Sequence, residues 1–164
     1  MTDATIAKRL RHFIESHGSE CGTGVTETRI RKFECEADVE IPEDLRKYFT
    51  ELNGTAGDYT YGVVRFWSID EIRTVSEEIS AATSPGMAVI QAMYSDPVDD
   101  GERFFVFADC LYESQLYAIY LSTSDKPNRV ILLNGEKPIV VAESFSEFVE
   151  RYLTTPEDLR LVID

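Results

Sequence analysis

The stretch Ile41-Pro42-Glu43-Asp44-Leu45-Arg46-Lys47-Tyr48-Phe49-Thr50-Glu51-Leu52-Asn53-Gly54 carries every local signal of a single helix. Pro42 stands in the first turn, where the missing N–H has no intrahelical partner to lose. Glu43 and Asp44 face the positive end of the helix dipole. Leu45, Tyr48, Phe49 and Leu52 repeat at i, i+3, i+4, i+7 and so form one apolar stripe for a core. Asn53-Gly54 supplies a left-handed exit. These residues alone predict a core helix and say nothing about function.

Working outward, Ile6, Leu10, Phe13 and Ile14 predict an amphipathic helix near 4–17, ended by Gly18. Residues 18–26 are expected to be a loop, and 28–40 is a weakly amphipathic stretch with no firm assignment. On the C-terminal side, 61–67 alternates as a strand ending at Trp67. Ser68 and Glu71 have capping-box spacing, which predicts a third helix carrying Ile69, Ile72, Val75 and Ile79, ended at Pro85-Gly86. Strands are expected at 87–93, 103–108 and 115–121. A hairpin joins 129–133 to 137–142 around Asn134-Gly135. Ser144 with Glu147 caps a last helix bearing Phe145, Phe148, Val149 and Tyr152, and Thr155-Pro156 can open a short terminal one.

Helices first, then a meander of strands, then a helix is an α+β pattern. The connections within the meander are too short for parallel crossovers. The expectation is a mostly antiparallel sheet of five to six strands packed against N-terminal helices and a C-terminal helix. Residues 1–164 are expected to form one domain.

Thirty acidic residues against 16 basic ones give a net charge of −14. A field of that sign repels phosphate backbones, which argues against direct nucleic-acid binding, and it disfavours an anionic membrane surface. It speeds encounter with a basic protein. The three cysteines, Cys21, Cys35 and Cys110, are odd in number and contain no CxxC pair. Reduced thiols in a cytoplasmic protein are the expectation, with no metal and no cofactor. No run approaches a membrane span and the N-terminus has no basic, then apolar, leader pattern.

Several elements in order resemble the SUKH superfamily, the family of the yeast Smi/Knr cell-wall regulator. They are Phe33-Glu34, Ile41-Pro42, Asn53-Gly54, the segment from Phe66-Trp67 to Ile72, Phe107-Ala108-Asp109, the Tyr117-Ala118-Ile119 strand and Phe145-Ser146-Glu147-Phe148. The resemblance runs from about residue 28 to 153. It implies a protein-binding domain without a defining catalytic residue. Bacterial members are largely immunity proteins that neutralise toxins, many of them nucleases, and eukaryotic members are regulatory or scaffold domains. Within it Ile41, Pro42, Asn53, Gly54 and Trp67 have the character of a structural signature.

Candidate contacts for a protein partner, expected to be a basic toxin domain, are two acidic clusters and one aromatic. The first cluster is Asp96, Asp99, Asp100 and Glu102, between two strands. The second includes Glu34, Glu36 and Asp38, whose charge has no capping role to explain it. Tyr59, in a Gly-Asp-Tyr loop, is the aromatic expected to be exposed; Trp67 is expected in the core. A solvated surface is the simpler explanation of such clusters. No nucleophile–base spacing points to a hydrolase.

Overall fold

The computed structural model describes residues 5–56, 59, 64–80, 101–110, 114–135 and 137–161. The expected strand at 87–93, the Pro85-Gly86 turn and Asp96, Asp99 and Asp100 lie outside the described residues. Helices α1 (Ile6–Ser16), α2 (Glu27–Ala37) and α3 (Glu43–Glu51) come first. Strands β1 (Val64–Phe66) and β2 (Arg73–Thr74) and the short helix α4 (Val75–Ser80) follow. Then come β3 (Phe104–Cys110), β4 (Gln115–Tyr120), β5 (Val130–Leu133) and β6 (Ile139–Ala142). Helix α5 (Phe145–Thr154) and a 3₁₀ turn (Pro156–Leu159) end the described chain.

The sheet runs β1-β3-β4-β5-β6, with β2 also on β3, and every pairing is antiparallel. The α+β expectation therefore holds. β1 covers one half of the β3 edge (Phe66 opposite Ala108) and β2 the other (Thr74 opposite Phe105). A bulge at Phe107 shifts the β3–β4 register, so that Val106 faces Ala118 while Ala108 faces Tyr117.

The stretch 28–40, which periodicity leaves unplaced, is helix α2. Thr26 caps it through the Arg29 N–H, and Asp38 ends it in a left-handed conformation at φ 53°. Only Ile30 and Phe33 are buried along it, so its apolar stripe is too thin to show a clear period. The expected helix from Ser68 is corrected. The Glu71 carboxylate does accept the Ser68 N–H at 3.0 Å, but the Glu71 and Ile72 N–H groups close back on the Ser68 carbonyl as a turn. Arg73 and Thr74 then pair with β3, and Thr74 Oγ1 caps α4 by accepting the Glu77 N–H at 3.1 Å. An open sheet edge competes for these backbone groups and wins over local helical spacing.

The core is an aromatic cluster between the helices and one face of the sheet. Phe107 and Tyr117 from the sheet each place a ring centroid 5.0 Å from that of Phe148 on α5. Tyr48 on α3 lies 5.1 Å from Phe145. Edge-to-face pairs of this kind add to the apolar area they bury. Tyr48 and Tyr117 are wholly buried and their hydroxyls donate to the Trp67 and Leu159 carbonyls at 2.6 Å each. Burial raises both phenol pKa values, Tyr48 well above the ordinary tyrosine range.

Candidate protein-binding site

The signature residues are joints between elements. Phe33 packs against Phe105 with centroids 5.8 Å apart. Next to it, Glu34 accepts both the Ile41 N–H at 2.8 Å and the Arg46 guanidinium at 2.9 Å. One carboxylate thus ties α2 to the start and body of α3. Asp44 accepts the N–H and hydroxyl of Ser146 at 2.8 Å each, so α3 also caps α5. Asn53, at φ 46°, accepts the Ile69 N–H through Oδ1 at 2.8 Å and donates to the Thr23 carbonyl through Nδ2. Gly54 has φ 88°, and a Cβ there would stand 2.8 Å from the Ser68 nitrogen. No other residue meets both demands.

Asp109 at the end of β3 is completely buried. Its carboxylate accepts from the Tyr59 hydroxyl at 2.7 Å, from Arg65 Nε at 2.9 Å and from Trp67 Nε1 at 2.6 Å. The Arg65 guanidinium lies 5.9 Å from the Tyr59 ring centroid and 5.3 Å from that of Trp67, within cation–π range. Burial works to lower the Arg65 pKa, but the Asp109 charge and hydrogen bond outweigh it and the net shift is upward. Tyr59 is therefore half-buried and held by its hydroxyl. Trp67 is in the core at 3 % exposure, as its sequence context predicts. Beside this hub opens a cleft of about 330 Å³ lined by Arg65, Trp67, Asp70, Glu71, Ile72, Arg73 and Glu78, in which Glu78 is buried and paired with Arg73.

Glu102, the one described member of the first acidic cluster, meets Glu36 and Asp38 of the second. Glu36 and Asp38, from the end of α2, line a cleft of about 470 Å³ together with Glu102, in the turn before β3, and Glu77 of α4. Phe105, Ala37, Thr74 and Ser76 complete its walls. Among the described residues Arg103 is the one cation lining it, and its guanidinium donates to the Asp38 carbonyl at 3.3 Å. Glu36, Asp38, Glu77 and Glu102 are all exposed. Glu36 has only a 3.9 Å contact with Lys32, both side chains in solvent, a pair of small energetic weight. Glu34 is on the same helix but turned toward α3, with a side chain only 17 % exposed.

Sequence reasoning did not mark Asp109, Arg65 or Glu77. Asp109 had a signal in Phe107-Ala108-Asp109, a carboxylate at the end of an apolar strand. Glu77 had none, because its place in the cleft depends on where α4 starts. Among the described residues no group of three or more His, Cys, Asp or Glu is placed to hold a metal ion, and no helix is long and apolar enough to cross a membrane.

Carboxylates thus serve inside as joints and stand outside around open clefts of an α+β fold. The chain belongs to the SMI1 / KNR4 family (SUKH-1), whose model matches residues 24–151. Domains of this family are known broadly as immunity and regulatory proteins, are generally non-catalytic and generally bind protein partners. Comparison with curated proteins returned no match.

Proposed function

We propose that this chain is a cytoplasmic immunity protein that binds a basic toxin domain, of the nuclease kind, and neutralises it by direct contact. Family membership supports a protein partner. The observation that carries the choice of partner is the convergence of Glu36, Asp38, Glu77 and Glu102 on one cleft of a chain with net charge −14. A nuclease must present cations to hold a phosphate backbone, and such a surface is the electrostatic complement of this cleft. Asp96, Asp99 and Asp100 and the aromatic Tyr59 belong to the same proposal as further contacts; Glu34 contributes by holding α2 against α3.

The test is co-expression with a toxin encoded beside this gene. The expected result is survival of the host and a complex on size exclusion. The combined substitutions Glu36→Lys, Asp38→Lys and Glu102→Lys should abolish both while leaving the fold intact. A toxin that stays lethal beside the unaltered protein, with no complex formed, defeats the reading. The second reading is a regulatory scaffold domain, supported by the breadth of the family. It predicts capture of resident cellular proteins and no toxin gene nearby.

A further inference from the structure

β3 opens with Phe104 and Phe105, which strand alternation sends to opposite faces of the sheet. Phe105 faces α2 and the acidic cleft. Phe104 is on the other face, where its ring meets Tyr120 edge-on with centroids 5.3 Å apart. There Phe104, Tyr120, Lys126, Pro127 and Arg129 line a notch of about 330 Å³. None of these five is acidic. The other clefts described on this chain each include at least one carboxylate, among them Glu40 and Asp125 in the one that adjoins Lys126 on its far side.

The Lys126 ammonium lies 5.7 Å from the Tyr120 ring centroid, which orients it over the notch. Arg129 is exposed and shared with Glu143 at 2.8 Å. Phe104 is only half-buried. A surface with a cation over an aromatic floor fits an anion with an apolar body.

We propose that this notch docks an acidic side chain of a protein partner, with the apolar residue next to it resting on Phe104. Charge complementarity selects the occupant: Lys126 and Arg129 attract a carboxylate and repel the basic surface suited to the acidic cleft. The half-buried Phe104 ring beside the cations gives a neighbouring apolar side chain a seat, which favours a peptide segment over a small free anion. The two clefts flank the same end of β3 and carry opposite charge. A partner spanning both is therefore held in one orientation. This inference does not depend on the partner being a toxin.

The experiment is a titration of the isotope-labelled full chain, read by NMR, with acetyl-Glu-Phe-amide as the probe and acetyl-Lys-Phe-amide and inorganic phosphate as the comparisons. The acidic dipeptide should shift the amides of Phe104, Tyr120, Lys126 and Arg129. Lys126→Glu should weaken it by about fivefold or more, the scale of an exposed ion pair turned into a repulsion. Lys126 is exposed, so this variant should retain the remote amide shifts of the native fold. Equal response to the basic dipeptide, shifts that map elsewhere, or no effect of Lys126→Glu would overturn the proposal. Phosphate reproducing the same shifts would also overturn it, in favour of a small-anion site. The toxin co-expression result bears on neither outcome.

Discussion

Asp109 and the carboxylates of the acidic cleft carry the same functional group and are used in opposite ways. Asp109 is fully buried and meets three side-chain donors. Glu36, Asp38, Glu77 and Glu102 are exposed and share one lining cation among the described residues. Leaving water costs a carboxylate several kcal/mol, which only a full set of donors offsets. Once that set is in place, the charge holds three segments together and has nothing left for a partner. An exposed carboxylate contributes little to stability, but its field reaches solvent over about a Debye length, roughly 8 Å at physiological salt. The same distinction separates Glu34 from Glu36, two residues apart on one helix.

The sharpest way to break this comparison is to remove the inward charge. Asp109→Ala leaves Arg65 and Trp67 Nε1–H without their buried acceptor and should cost about 3–5 kcal/mol in chemical denaturation. A cost under about 1 kcal/mol would mean that Asp109 is not the hub described. Gly24→Ala tests the joint at the other side of the signature. Its Cβ would fall 1.9 Å from the Thr50 carbonyl oxygen, so the 18–26 loop must move off the end of α3, with an expected loss of about 1–3 kcal/mol. Tyr48→Phe removes one buried hydrogen bond to Trp67 and should cost about 1 kcal/mol.

The outward charges should behave in the reverse sense. Glu36→Gln with Glu102→Gln should leave the melting temperature unchanged or slightly higher, since repulsion falls by a few tenths of a kcal/mol, while slowing association with a basic partner. Salt should mask the association effect, which stopped-flow measurements at two ionic strengths would show.

Alkaline pH separates the regions without mutation. The folded pKa values of Tyr48 and Tyr117 are raised above the unfolded value of about 10 by burial. Cys21 is raised to about 11, first by burial and then by the Glu15 charge. A raised folded pKa means that the native state holds the proton more tightly. The stability it contributes is complete below the unfolded pKa and is lost as pH rises toward the folded one. Unfolding titrations should show stability falling from about pH 9 upward. Thiol labelling at pH 8 should modify exposed Cys35 well before half-buried Cys21 and buried Cys110.

Much of this was legible in the sequence because it depends on neighbours along the chain. The α3 stripe, the Ser144 cap and the Asn134-Gly135 hairpin are local signals, and each appears where its residues predict. The segment after Ser68 was misread because its capping spacing was genuine but the β3 edge offered its backbone better partners. Helix α2 was unreadable as a period because it buries only two side chains.

For the site, the sequence alone determined which residues carry charge and that acid outnumbers base by 14. It could not determine which carboxylates turn inward. Glu34 and Glu36 differ by two helix positions, about 200° of rotation, and only the place of Arg46 on the neighbouring helix makes one a joint and the other a surface group. Nor could it bring Glu36 and Glu102 to one cleft across 66 residues of chain. Side-chain chemistry is written locally, whereas exposure and proximity depend on packing between distant segments, and only the tertiary structure supplies those.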